Sequence, residues 1–313
     1  MKSKVAIINV YFGKLPSWFQ LWLDSCQYNA EFTWILYTDD ETEYNYPCNV
    51  IRKICTLSNI KEKINETLTI TNRIENVYKL CDFKTVYGKI FKEDLKEFSH
   101  WGYCDLDMIF GDLSKFITDE VLNKYDRVLN KGHLTIYKNN DVINDYYLLN
   151  YSGLNYKEIF ESKYHYGFDE IAGFDKLYKE NNLPQYIPRD PVIADISFSN
   201  YDFRVNGIEN YKKQYFYWEN GKIFRKYIFN SQEFINEYAY IHFQKRKMSV
   251  MVDKFKDKKY IIIPDKITNI YDDKYLYKLN KYNLIKQIER KIKYKKLFIN
   301  QKIYRLLHWK LKI

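Results

Sequence analysis

Two aspartates, Asp105 and Asp107, stand one residue apart in WGYCDLDMIFGDL at residues 101–113, among Trp, Tyr, Cys, Leu, Met, Ile and Phe. In an extended chain residues i and i+2 project to the same side, so both carboxylates can reach one hard divalent cation, Mn²⁺ or Mg²⁺, while Leu106 points the other way. Two acids also meet by chance in surface turns. In apolar surroundings, however, an unpaired carboxylate costs several kcal/mol, so this pair needs a metal or strong hydrogen-bond donors.

A second stretch offers complementary chemistry. AYIHFQKRKM at residues 239–248 carries His242 and then Lys245, Arg246 and Lys247. The histidine can complete a metal shell with two aspartates, and Lys245 and Arg246 can neutralise the oxygens of a diphosphate; the alternative is a solvated basic turn. Asp169 and Glu170 follow Gly167 ahead of an amphipathic helix reaching Tyr178, as either a helix cap or catalytic carboxylates that accept a hydroxyl proton. His133 lies between apolar runs, either in a ligand pocket or as a satisfied structural histidine. With Asp195 and Trp218 it makes up the candidate sugar or acceptor pocket.

These residues need elements to position them. KVAIINVY at 4–11 is a continuous apolar, β-branched run ended by Gly13 and Pro16, as expected of a central parallel strand covered on both faces. Helical spacing of Trp18, Phe19, Trp22, Leu23 and Cys26 follows, then a second strand FTWILY at 32–37, which predicts a βαβ unit. Asp39 comes directly after that second strand, where an α/β fold collects nucleotide contacts, although a turn or helix cap uses the same residue. Residues 78–98 place Leu80, Phe83, Val86, Tyr87, Ile90, Phe91 and Leu95 on one stripe, which predicts a long helix with Asp82 and Lys84 near its start. Lys84 there serves a phosphate or ribose, or is a solvated charge. Residues 126–137 give two apolar runs broken at 130–133, the profile of a strand passing a ligand site, and residues 184–231 predict short antiparallel strands.

A chain of 313 residues with 46% hydrophobic content is long and apolar enough for a globular core. Five cysteines without CxxC spacing argue against both a disulfide framework and a zinc site and fit a reducing, cytoplasmic setting. The N-terminal apolar run is too short for a signal peptide, and no stretch approaches a membrane span. Residues 281–313 hold 11 Lys or Arg and one Glu, which accounts for the whole net charge of +10 and leaves the body neutral. That distribution disfavours a nucleic-acid binder, since no basic stripe crosses the fold. A metal-dependent phosphohydrolase or nucleotidyltransferase could use the same paired aspartates and basic cluster.

Taken together, YKLCDFK, WGYCDLDMIFGDL, GHLTIYKN, YGFDE, ADI, FYWENGK and YIHFQKRKM resemble a family of bacterial polysaccharide-biosynthesis glycosyltransferases with the GT-A fold, across roughly residues 1–250. The resemblance implies a Rossmann-like α/β fold with a mixed, mainly parallel sheet flanked by helices and a catalytic domain at 1–250; residues 251–313 match none of these motifs and read as a basic helical extension on composition alone. It implies a nucleotide-diphosphate sugar donor, a UDP-sugar being favoured, and a glycan acceptor that is lipid-linked. Asp105 and Asp107 take the place of the metal-binding pair with His242 as third ligand, and Lys245 and Arg246 lie near the diphosphate. Asp39, Asp82 and Lys84, read from their own places in the chain, complete the candidate nucleotide and diphosphate contacts.

The tail has its own pattern. Leu284, Ile285, Ile288, Ile292, Ile299, Ile303, Leu306 and Leu307 recur at helical spacing among lysines and arginines, with Tyr304 and Trp309 nearby. One reading is a basic amphipathic helix lying on the anionic inner face of the plasma membrane; the other is a helix packed on the catalytic domain with its charges in water.

Overall fold

In the computed structural model residues 2–252, 258–270, 272, 274 and 284–309 are described, with the side chains at 297, 298 and 300–309 excluded. Of the expected basic tail, residues 281–283 and 310–313 and the side chains of Ile303, Tyr304, Leu306, Leu307 and Trp309 lie outside the described residues. The chain forms two compact units, one from residues 1–106 and 112–190, the other from 107–111 and 191–313.

The first unit is α/β. Its opening strand, β1 (Val5–Tyr11), is buried on both faces along most of its length, as its uninterrupted apolar run requires, and lies parallel to β2 (Phe32–Thr38) on one side. Beyond β2 lies β3 (Val50–Ile54), and on the other side of β1 lies β4 (His100–Cys104), both again parallel. After β4 the chain supplies one short strand to the second unit, β5 (Met108–Phe110), and returns for β6 (Arg127–Lys131), β7 (Leu134–Lys138) and β8 (Gln185–Tyr186). The sheet order is β3-β2-β1-β4-β7-β6-β8, mainly parallel, with β7 antiparallel to both neighbours. The helix Phe19–Gln27 buries Phe19, Trp22 and Cys26, and the helix Leu57–Leu68 buries Ile60, Ile64 and Leu68 at four-residue spacing. Thr56 and Asn59 close the second of these with a capping box.

Two expectations are corrected here. Residues 78–98 are not one long helix: tight 3₁₀ turns at Val77–Val86 give way to a single helical turn, Tyr87–Ile90, and another 3₁₀ turn, Lys92–Leu95. The apolar stripe suggested a polar outer face, but Lys79, Asp82, Lys84 and Thr85 are buried as well as Leu80, Phe83 and Val86. A segment enclosed on all sides cannot present one amphipathic face, and tighter turns carry its charged groups to partners in different directions. Gly88 allows the close packing, since a Cβ there would lie 2.4 Å from the Trp101 indole. Residues 126–137 likewise form a hairpin, with a register shift between Val128 and Lys131 where Leu129 takes a left-handed conformation (φ 66°).

The second unit holds two sheets. A three-stranded sheet places β13 (Tyr240–His242) between β5 and β9 (Ile193–Asp195), aligning His242 with Met108 on one side and Asp195 on the other. A six-stranded sheet, mostly antiparallel, contains β10 (Gln214–Glu219), β11 (Lys222–Phe229), β12 (Gln232–Tyr238), β14 (Ser249–Met251), β15 (Lys259–Ile263) and β16 (Lys266–Thr268). The helix Leu284–Trp309 joins this unit through Gln287, which is buried and accepts the Tyr201 N–H at 2.6 Å, and through Arg290, which donates to the Phe198 carbonyl at 3.0 Å. Among the described residues no helix is long and apolar enough to cross a membrane.

Candidate active-site clusters

In the first unit the polar cluster gathers at the end of β4. Asn9 of β1 donates to the Cys104 carbonyl at 2.5 Å and holds the strand end just before Asp105. The turn between β6 and β7 brings two carbonyls to the same place: His133 O accepts the Asp105 N–H at 3.0 Å, and Gly132 O accepts from Lys84 Nζ at 2.8 Å. Lys84 Nζ also lies 2.6 Å from Asp105 Oδ1 and 3.2 Å from Asp169 Oδ2. Burial pulls the pKa of this lysine down, yet Asp105 and Asp169 outweigh it and hold the pKa well above the ordinary value. Lys84 is therefore a cation shared by Asp105 and Asp169.

Asp169 is the buried member of that cluster. Burial pushes its pKa up to about 8, with Lys84 pulling it down and Glu170 and Asp105 pushing it further up. Its Oδ2 meets Lys84, while Oδ1 is buried with no hydrogen-bond partner. An acceptor oxygen held in this way is available to a ligand hydroxyl. Asp169 does not cap the following helix, which runs Phe174–Glu180 behind Gly173. Gly132 is required by close approach, because a Cβ there would lie 2.8 Å from Glu170 Oε1 and 3.0 Å from Asp169 Oδ2. Glu170 itself is exposed.

Asp82 is a different case. It is fully buried and accepts from Lys79 Nζ at 2.8 Å and from the backbone N–H groups of Tyr166 and Phe168, both at 2.9 Å. Asp82, His165 and Asp169 bring ligand atoms within 4.8 Å of one another, but Asp82 already has its acceptor capacity taken by Lys79 and the 166–168 backbone. It fixes the loop that presents Asp169, and this corrects its expected role at a nucleotide. Asp39 accepts the Gly13 N–H at 2.7 Å and braces the loop after β1, the turn reading of that residue.

In the second unit the cluster is built on the three-stranded sheet. His242 Nδ1 lies 3.0 Å from Asp195 Oδ1, and Nε2 lies 3.3 Å from Asp107 Oδ1. Burial would lower the pKa of this imidazole, but the Asp107 and Asp195 carboxylates raise it to about 10. Gln244 Nε2 donates to Asp195 Oδ1 at 2.7 Å, and the backbone N–H of Lys245 donates to Asp107 Oδ2 at 2.6 Å. That last bond depends on two consecutive non-glycine residues in left-handed conformations, Gln244 (φ 50°) and Lys245 (φ 56°). Such backbone strain persists where surrounding contacts enforce it, and it concentrates at functional sites.

This donor set fits a divalent cation. Without a cation the raised pKa keeps both ring nitrogens protonated, Nδ1–H toward Asp195 and Nε2–H toward Asp107; a divalent cation would displace the Nε2 proton, while Asp195 keeps the ring oriented as a carboxylate orients a metal-binding histidine. Asp107 adds a hard oxygen beside that nitrogen. Asp105 is two residues away in sequence and is held by Lys84.

Two further expectations are corrected. Arg246 does not face a phosphate: it is 1% exposed, and its guanidinium donates to the carbonyls of Tyr201, Ser197 and Asn200. Burial lowers its pKa to about 9, with nearby Arg290 acting in the same direction. Trp218 stacks on Tyr260 at 5.1 Å and donates to the Phe110 carbonyl at 3.0 Å, so it is core, not pocket wall. Lys245 carries its side chain on an exposed residue. Asn9 and Gln244 are of types that carry no periodic or motif signal, and the one signal available for Lys79 is its three-residue spacing to Asp82.

The sequence model of the family described as "Family of unknown function (DUF6625)" matches residues 7–271, and the chain belongs to that family. No curated protein matches the sequence. Among solved structures, mouse xyloside xylosyltransferase 1 in its apo form is similar over 63% of this chain and 88% of that chain, with 8% identity and a TM-score of 0.36. Likeness at that level does not establish a common fold.

Proposed function

We propose that this protein is a metal-dependent glycosyltransferase that moves a sugar from a nucleotide-diphosphate donor, a UDP-sugar, to a glycan acceptor carried on a lipid in bacterial surface-polysaccharide synthesis, within a GT-A-like fold. The observation that carries the reading is the Asp107–His242–Asp195 line, a carboxylate and an oriented histidine at the end of an Asp-x-Asp motif. Asp107 and His242 would hold Mn²⁺ or Mg²⁺, and Asp195 would set the orientation of the His242 ring. When bound there, the cation would supply positive charge against the charge that develops on the departing diphosphate. Lys245 adds its ammonium on the phosphate side. Asp169, in the deprotonated form it gains as pH rises through about 8, would accept the proton of the acceptor hydroxyl at Oδ1, while Lys84 holds Oδ2. His133, whose backbone carbonyl holds the Asp105 N–H, lines the sugar side.

The test is a panel of nucleotide sugars incubated with and without Mn²⁺. The expected result is metal-dependent release of nucleoside diphosphate, abolished in Asp107→Asn with the fold retained by circular dichroism. Release of nucleoside monophosphate or pyrophosphate instead would identify a phosphohydrolase or nucleotidyltransferase. Near-normal metal-stimulated turnover by Asp107→Asn would overturn the assignment of the metal site.

A further inference from the structure

The helix Leu284–Trp309 has two faces of opposite character. At about 100° per residue, Lys286, Gln287, Arg290 and Tyr294 share one side. That side meets the 197–201 loop: Gln287 accepts the Tyr201 N–H, Arg290 donates to Phe198 O, and the rings of Tyr294 and Phe198 lie 6.0 Å apart. Lys286 adds contacts of 3.2 Å to both Tyr201 Oη and Asp265 Oδ2. From within the same unit, Arg246 binds the carbonyls of Ser197, Asn200 and Tyr201. The loop is thereby gripped by three basic residues, Arg246, Lys286 and Arg290, and one buried glutamine, and the helix is fixed in rotation.

The opposite side is apolar and open. Ile285, Ile288, Ile292 and Ile299 fall within about a 60° arc of the helix, and they are 71%, 48%, 61% and 52% exposed. Isoleucines are normally the side chains a helix turns inward. Here the polar face is docked and the apolar face is not. Lys291 and Lys295 border the stripe on one side and Lys296 on the other, all exposed.

We infer that this outer face binds an anionic lipid surface, with the isoleucines in the headgroup–acyl boundary and the bordering lysines against the lipid charges. Charge complementarity selects this occupant over a second copy of the chain. In a parallel pairing seamed on Ile285, Ile288, Ile292 and Ile299, Lys295 takes a core position and Lys291 faces Lys296 across the seam, so like charges oppose one another. A nucleic acid would use the lysines but leave four isoleucines in water. The inference is independent of the chemistry proposed for Asp107 and Asp169.

Co-sedimentation of the full chain with phosphatidylcholine vesicles, with and without phosphatidylglycerol, tests it. Binding is expected only to the anionic vesicles and should fall at high salt. Lys291→Gln, Lys295→Gln and Lys296→Gln should each weaken it roughly fivefold, and Ile288→Gln with Ile292→Gln should remove it. All five positions are exposed, so circular dichroism and thermal unfolding should be unchanged. No binding by the wild type, equal binding to neutral vesicles, or full binding by the isoleucine variant would overturn the inference. So would a wild type that sediments as a dimer and becomes monomeric in the isoleucine variant, which would make the stripe a self-association surface.

Discussion

Replacing Lys84 by Met tests how the buried carboxylate of the first unit is kept in its state. The substitution conserves volume and removes one cation with three contacts, to Asp105, Gly132 O and Asp169. Loss of a buried ion-pair partner costs about 3–5 kcal/mol when it leaves an uncompensated buried charge. Asp105 is partly exposed, so water takes up much of its share. Asp169 decides the outcome. Its folded pKa, about 8, lies above its ordinary value of 3.8, so the wild type loses stability as pH rises from 3.8 toward 8 and is level beyond. Below 8 the carboxyl is already protonated, and the variant forfeits mainly hydrogen bonds, about 1–3 kcal/mol. Without Lys84 the folded pKa rises further, so the variant goes on losing stability above 8, and the gap widens by up to about 1.4 kcal/mol per pH unit. Urea unfolding followed by tryptophan fluorescence at about pH 6 and about pH 9 reads this directly. A gap that is equal at the two pH values, or larger at the lower one, would refute the assignment of Asp169 as a carboxyl held near neutrality by Lys84.

Other outcomes follow from the same geometry. Asp195→Ala should lower Mn²⁺ affinity about 10- to 100-fold, measured by equilibrium dialysis, because His242 loses the acceptor that orients it. Arg246→Met should lower stability by about 2–4 kcal/mol in urea unfolding, since three buried carbonyls lose their donors, whereas Lys245→Met should stay within about 0.5 kcal/mol and instead raise the donor KM. Gly132→Ala should cost about 1–2 kcal/mol through crowding and reduce turnover more than that cost suggests, because the added Cβ drives against Asp169 and Glu170.

The strands were readable because burial writes itself into residue type: KVAIINVY and FTWILY are β1 and β2, and WGYC ends where β4 ends. The pairing of His242 with Asp107 and Asp195 was less accessible, since it depends on a strand register that joins residues some 50 and 130 positions apart in sequence. Polar residues misled most. Lys79, Asp82, Lys84, Arg246 and Trp218 look like surface or pocket groups by type, and each is enclosed and bonded to backbone carbonyls, amides or an ion-pair partner. Periodicity counts apolar side chains and carries no record of which polar ones have been satisfied inside.

The pairing of β5 with β13 also bears on how the chain is made. Phe110 waits for Tyr240 and Met108 for His242, so the strand carrying Asp107 leaves the ribosome well before its partner exists. At roughly 5–20 residues per second the interval is on the order of ten seconds, during which Met108, Ile109 and Phe110 form an uncovered apolar edge. The first unit has its residues through 190 available during that time, and the second cannot close its central sheet until translation has passed residue 242. A pause or truncation before that point would leave β5 without its partner strand, an uncovered apolar edge of the kind chaperones hold.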